Sequence, residues 1–166
     1  MTFRVKEDIM EKLRHNAKSR GISLNMLINQ IFKNYADWYM FESKIGMIPL
    51  SKPILFELFK DLRKDEVIDI ATNIGKIAIC DIAIFMNAKM DMDSFMTWFE
   101  SRMRNSSIGV SHLVHARTHT YTIKHDICFN WSLYHQVLLE VIFGELYKKD
   151  VDIQTSETSF TIHLEK

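Results

Sequence analysis

The N-terminal stretch MTFRVKEDIMEKLRHNAKSRGISLNMLINQIF, residues 1–32, decides the fold, because its hydrophobic period changes soon after it begins. Apolar and polar side chains first alternate, as they do along a β-strand. They then recur at the spacing of an α-helix. The sequence therefore predicts a short strand over residues 2–6 that leads directly into helices. The apolar side of this strand carries Phe3 and Val5, and the opposite side carries Thr2, Arg4 and Lys6.

Two helices are predicted after the strand. The first begins at Glu7 or Asp8, and Gly21 ends it as a left-handed C-terminal cap. Ser23 is a suitable N-cap for the second helix, which is expected to continue through Trp38. The apolar faces of the two helices consist of Ile9, Met10, Leu13 and Ala17 on the first, and Leu24, Leu27, Ile28, Ile31, Phe32 and Tyr35 on the second.

The order of strand, helix, Gly21-Ile22-Ser23 turn and helix resembles the ribbon-helix-helix family of DNA-binding regulators. The resemblance covers roughly residues 1–40, and it implies an intertwined homodimer in which two strands pair antiparallel under four helices. Physical reasoning agrees, since a lone strand leaves its backbone groups unpaired at both edges. A unit of this size also buries too little apolar area to be stable alone.

The resemblance also implies a site on double-stranded DNA, with the two-stranded ribbon in the major groove. Base contacts are then expected from Thr2, Arg4 and Lys6, among which Arg4 is best suited to reading guanine. Phosphate contacts are expected from Ser23 and Asn25, at the N-terminus of the second helix. The resemblance implies neither catalytic residues nor a cofactor.

The distribution of charge favours the same reading. Residues 1–35 hold seven Lys or Arg and three Asp or Glu, whereas the remaining residues have a net charge of −4. A basic segment on an otherwise acidic protein is typical of polyanion binding, although a solvated helix face gives the same pattern. We place a domain boundary at Gly46–Pro49 and predict a ribbon-helix-helix domain over residues 1–45.

The part of the chain over residues 50–166 is predicted to be an α+β domain for oligomerisation, with effector sensing left open. Its helices are expected to start at Ser51, at Val67 with an interruption at Gly75, and at Asp93 or Ser94. The segment THTYTIKHD alternates as a strand, NWSLYHQVLLEVIFGELYKK is an amphipathic helix, and the C-terminal residues form a strand or a hairpin. The predicted fold class is therefore α+β, mostly α, ending in a small β-α-β unit.

Two constellations of chemically active residue types lie in this part of the chain. His119 and His125 share one side of a predicted strand with Cys128 close behind, which would suit a soft metal ion. Hydrogen-bonded histidines are the preferred interpretation, and no metal site is predicted. His125, Asp126 and Ser132 are the residue types of a hydrolase triad, but their spacing gives no workable geometry, so no catalytic residue is predicted.

The sequence thus predicts a cytoplasmic, homodimeric, DNA-binding transcriptional regulator without a membrane segment, whose effector, a small molecule or a metal, is left open. The alternative is a protein-interaction module such as an antitoxin-like regulator that binds a partner protein. A third possibility is a small enzyme with an N-terminal dimerisation clasp. Cys80 and Cys128 lie in apolar surroundings without a CxxC motif, which favours reduced thiols.

Overall fold

The structure, a computed structural model, describes residues 4–42, 44, 46–85 and 91–165. It is an α+β protein, as predicted, with a helical N-terminal part and a four-stranded antiparallel sheet near the C-terminus. The chain divides into two compact units, Met1–Gly46 (unit 1) and Met47–Lys166 (unit 2). None of the helices in the described ranges has the length and apolar character needed to cross a bilayer.

Unit 1 consists of consecutive helical segments. They are α1 (Glu7–Ser19), α2 (Leu24–Asn34), a π-helical turn (Tyr35–Tyr39) and the short α3 (Met40–Glu42). The predicted caps of the first two helices are confirmed. Gly21 has a φ of 64°, and the Ile22 N–H donates to the carbonyl of Ala17 over 3.0 Å, which together close the end of α1. The second helix begins where Ser23 caps it.

The described part of the strand predicted over residues 2–6, which is residues 4–6, is not in a strand in the structure of one copy. Thr2 and Phe3 lie outside the described residues. Arg4, Val5 and Lys6 carry no strand assignment, and Lys6 has extended backbone angles of φ −62° and ψ 142°. An extended segment becomes a strand only when another strand supplies hydrogen bonds, and the described part of unit 1 contains none. The ribbon thus stays a prediction about two copies.

In the described part of unit 2, three helices precede the first strand and a fourth lies between the second and third strands. The helices are α4 (Lys52–Phe59), α5 (Lys64–Phe85), α6 (Met92–Asn105) and α7 (Phe129–Ile142), the last followed by a π-helical turn (Phe143–Tyr147). The strands are β1 (Gly109–His115), β2 (Thr118–Lys124), β3 (Asp152–Thr155) and β4 (Ser159–Glu165), arranged in the order β1-β2-β4-β3.

The predicted order of strand, helix and C-terminal hairpin is present as β2, α7 and β3–β4, within a larger sheet. Two antiparallel hairpins, β1–β2 and β3–β4, stand on either side of α7, and the sheet joins them through β2 and β4. No strand was predicted over residues 109–115. The hairpin expected near Ser156 and Glu157 is confirmed, because those residues connect β3 to β4. Tyr121, Ile123, Phe160 and Ile162 form the buried side of the two central strands.

The predicted interruption at Gly75 is wrong, because α5 runs without a break from Lys64 to Phe85. The glycine serves packing instead. A Cβ at position 75 would lie 3.0 Å from Cγ1 of Val141 on α7, so the two helices approach more closely than a larger residue would allow. The core of unit 2 is then completed by α6, α7 and the π-helical turn after α7, through Phe95, Phe99, Leu138, Leu139 and Phe143.

Candidate nucleic-acid interface

The first part of the candidate site is the extended segment before α1. Arg4 and Lys6 are both exposed to solvent, which leaves their side chains accessible to a ligand. Lys6 occupies the N-cap position of α1 and makes no side-chain capping bond there. Thr2, the third residue predicted to contact bases, lies outside the described residues.

The second part is the N-terminus of α2. The Ser23 hydroxyl accepts a hydrogen bond from the Met26 N–H over 3.1 Å, and its own proton can still be donated. The amides of Leu24 and Asn25 belong to the first turn of the helix, where no carbonyl of that helix can accept them. Asn25 is exposed beside them. These donors, with the helix dipole, favour an anion at this position.

The exposed charges in the described part of unit 1 are mainly basic. Arg14 pairs with Glu7 over 2.6 Å, with both side chains exposed, so this pair contributes little to stability. Arg20 donates to the Gln30 amide oxygen over 3.0 Å and so connects the ends of α1 and α2. Lys12 and Lys18 are exposed on α1 as well. Unit 1 therefore presents cationic groups suited to contacts with phosphate.

Unit 1 buries few apolar side chains. In its described part only Ala17, Leu27 and Trp38 are buried. Sequence reasoning placed Trp38 in the second helix but did not identify it as core. Apolar residues predicted to face inward remain exposed, and they form what we call the unit 1 apolar set: Val5 (44%), Ile9 (45%), Ile31 (41%), Phe32 (50%) and Tyr35 (59%).

His125 and Ser132, two of the three residue types of the hydrolase triad, meet in unit 2, but their hydrogen bond has the direction of a structural bridge. Asp126 is exposed, and its Oδ1 lies 3.8 Å from Lys124 Nζ. His125 Nε2 lies 2.8 Å from Ser132 Oγ. His125 Nδ1 accepts the Ile127 N–H over 3.1 Å, so the ring proton is on Nε2 and is donated to Ser132. Ser132 in turn donates to the carbonyl of Ser156 over 2.7 Å. A general base would have to accept the serine proton, and this imidazole donates instead.

Burial keeps the histidines of this region neutral. His125 and His135 are 0% and 1% exposed. Burial lowers the pKa of His125 to about 4 and the pKa of His135 to about 3. His135 Nδ1 donates to the carbonyl of Trp131 over 3.0 Å, and the imidazole stacks on Phe160. Both histidines therefore act as parts of the core.

His119, His125 and Cys128, the residues that could have suited a soft metal ion, are not assembled as a metal centre. His119 turns to His112, whose Nε2 lies 3.0 Å from His119 Nδ1, whereas His125 faces Ser132 in the interior. Across the described ranges, no group of three or more His, Cys, Asp or Glu side chains is arranged to hold a metal ion.

No protein-family model, curated protein or solved structure matches the chain.

Proposed function

We propose that the protein is a homodimeric transcriptional regulator that binds double-stranded DNA through unit 1, in the manner of the ribbon-helix-helix family. In this proposal the extended segments of two copies pair antiparallel and enter the major groove. Thr2 and Arg4 select bases, Lys6 makes a secondary contact, and Ser23 and Asn25 hold the phosphate backbone. Unit 2 adds contacts between copies.

The observation that carries the proposal is the exposure of the unit 1 apolar set next to basic residues. Its five large apolar side chains are 41–59% exposed. Contact of so much apolar surface with water is unfavourable for a unit with so small a core. Val5 and Ile9 flank the start of α1, and Ile31 and Phe32 lie on α2. A second copy that brings the same residues would cover both groups by a two-fold axis.

Pairing would also place the basic residues usefully. Arg4 and Val5 point to opposite sides of any strand that they join, because side chains alternate along it. If Val5 turns toward the helices, Arg4 turns away from them. Each ribbon then displays Arg4 twice, and a planar guanidinium matches the O6 and N7 acceptors of guanine.

The proposal is tested by selecting duplexes from a random pool with the full-length protein and measuring affinity by fluorescence anisotropy. We expect enrichment of a short inverted repeat, two protein chains per site, and an affinity that falls steeply with salt because counterions are released. A selected pool with no shared sequence, or binding that salt does not change, would overturn the proposal.

Purification of the protein for this experiment also distinguishes the proposed function from its main alternative, an antitoxin-like regulator. Such a regulator would hold a partner protein through a segment appended to the ribbon-helix-helix module, and that segment would be disordered when free. A purified protein that is folded, dimeric by light scattering and stable alone contradicts that rival.

A further inference from the structure

Strand β1 is a free edge of the sheet. It is hydrogen-bonded to β2 on one side, in a register that runs from Gly109 opposite Lys124 to His115 opposite Thr118. In the sheet order β1-β2-β4-β3, no described strand lies on its other side. The backbone groups that point outward from β1 are therefore available to another strand.

The two edges of this sheet differ in how they are protected. The edge strand β3 has four residues, includes Asp152, and follows the charged residues Lys148, Lys149 and Asp150. Short length and charge are the usual means by which proteins keep an edge from pairing. In contrast, β1 has seven residues, GVSHLVH, with no Lys, Arg, Asp, Glu or Pro among them. It is as long as β2 and β4.

Apolar side chains are exposed on both sides of β1. Leu113 is 69% exposed and Val114 is 57% exposed, and neighbours in a strand point to opposite sides of the sheet. An additional strand next to β1 would cover both apolar side chains, because its own side chains would lie above and below the sheet beside them.

We propose that β1 pairs antiparallel with β1 of a second copy, so that two four-stranded sheets join into one of eight strands. A two-fold axis at His112, the central residue of Gly109–His115, pairs the whole strand with itself. In this register Val110 lies opposite Val114 of the other copy, and Ser111 lies opposite Leu113. No like charges meet at such a neutral strand, so a second copy is a better occupant than a charged peptide.

The side chain at the proposed axis is already held away from the edge. The His112 ring stacks on Tyr121 of β2, with the ring centroids 4.0 Å apart. Its Nε2 lies 3.0 Å from His119 Nδ1, also on β2. Both partners lie toward the interior of the sheet, so the imidazole leaves room for the approaching strand. This pairing does not depend on DNA binding by unit 1.

Disulfide cross-linking of the full chain tests the proposed register. The double variant Val110→Cys/Val114→Cys should form a covalent dimer under mild oxidation. In the proposed register, the cysteine at position 110 of each copy lies opposite the cysteine at position 114 of the other copy. Each single variant should stay uncross-linked, since its cysteine would face a valine. The single variants also control for Cys80, for Cys128 and for chance contact between chains brought together by unit 1. A cross-link in the single variant Val114→Cys would overturn the register.

Hydrogen exchange supplies the second measurement. If copies pair, the amides of β1 should exchange more slowly as protein concentration rises, and Leu113→Lys should abolish that dependence by placing two cations beside the axis. Gln154→Lys on the edge strand β3 adds the same charge and should change nothing. Exchange in β1 that is independent of concentration, together with no cross-link in the double variant, would overturn the proposal. Slow exchange at every concentration without a cross-link would also overturn it, because the occupant would not be a second copy.

Discussion

His125 Nε2 donates a hydrogen bond to Ser132 Oγ over 2.8 Å, and neither residue is exposed to solvent. Ser132 lies on α7 and donates further to the carbonyl of Ser156, at the turn between β3 and β4. One buried hydroxyl thus connects the end of the first hairpin, the central helix and the second hairpin.

Removal of that hydroxyl is expected to destabilise unit 2. Ser132→Ala would leave the Nε2 proton of the buried His125 without its acceptor and would remove a donor from the carbonyl of Ser156. We expect a loss of about 1–3 kcal/mol in the free energy of unfolding, measured by urea denaturation. Ser106→Ala, at an exposed position after α6, should change it little. Equal effects of the two substitutions would contradict the bridging role.

The same core makes unit 2 sensitive to mild acid. The folded-state pKa values of about 4 for His125 and about 3 for His135 lie below the value near 6.5 of an unfolded histidine. The unfolded chain therefore binds more protons between these values, so stability is complete above about pH 6.5 and falls as pH decreases toward about 4. We expect a slope of about 1.4 kcal/mol per pH unit for each histidine.

A substitution isolates the contribution of His135. His135→Phe keeps an aromatic ring beside Phe160 but cannot titrate, and the carbonyl of Trp131 still accepts the helical N–H of residue 135. The free energy of unfolding, measured by urea denaturation between about pH 6 and about pH 5, should fall less steeply with decreasing pH. The slope should be smaller by the contribution of one histidine. His15→Phe, at an exposed position in unit 1, is the control and should leave the slope unchanged.

The close approach of α5 and α7 gives a prediction about Gly75. Alanine is the better helix former by about 1 kcal/mol, yet its Cβ would lie 3.0 Å from Cγ1 and 3.3 Å from Cβ of Val141. We expect Gly75→Ala to destabilise, since overpacking in a filled core costs about 1–3 kcal/mol.

Two further variants make this a test of packing. Adding Val141→Ala to Gly75→Ala should recover part of the loss, which a thermodynamic cycle would record as coupling. Gly144→Ala is the matched control, because a Cβ there meets nothing within 4 Å, and it should stabilise or be neutral. Additive effects at positions 75 and 141 would contradict contact between them.

Local signals in the sequence were sufficient for the helices of unit 1. Gly21 and Ser23 act through their own backbone and side-chain geometry, so their roles could be predicted without knowledge of the fold. The role of Gly75 was predicted wrongly because it depends on a residue that is distant in the sequence. A glycine inside a helical pattern is equally consistent with a break and with close packing, and the choice depends on Val141, which lies 66 positions further along the chain.

The sheet and the candidate site show a second limit. Residues 109–115 were not predicted to form a strand because their apolar and polar residues do not alternate. The two neighbouring apolar residues Leu113 and Val114 are both exposed, so neither side of the strand is consistently apolar. Similarly, the sequence places Ile31 on an apolar stripe, but only the structure shows that unit 1 of one copy leaves it 41% exposed. What covers a surface between copies is a property of the assembly, and the pattern of one chain cannot fix it.

If a second copy covers the unit 1 apolar set, a charge placed there should separate the copies. Ile31→Asp would bury an unpaired carboxylate in such an interface, and we expect loss of the unit 1 pairing. Asn34→Asp adds the same charge at an exposed position near the end of α2 and is the control. Light scattering and the concentration dependence of thermal unfolding measure the result. Equal behaviour of both variants would leave unit 1 without a partner copy.

Arg4 is the residue on which sequence selection depends in the proposed function. Arg4→Ala should remove discrimination worth about 1–3 kcal/mol at the base pair it reads, while melting of the protein stays unchanged because the side chain is exposed. Arg117→Ala removes the same charge from an exposed turn of unit 2 and should preserve discrimination. Anisotropy titrations with the selected duplex and with a substituted duplex compare the two variants. If Arg4→Ala instead weakens both duplexes equally and lowers the salt dependence, Arg4 contacts phosphate and the bases are read elsewhere.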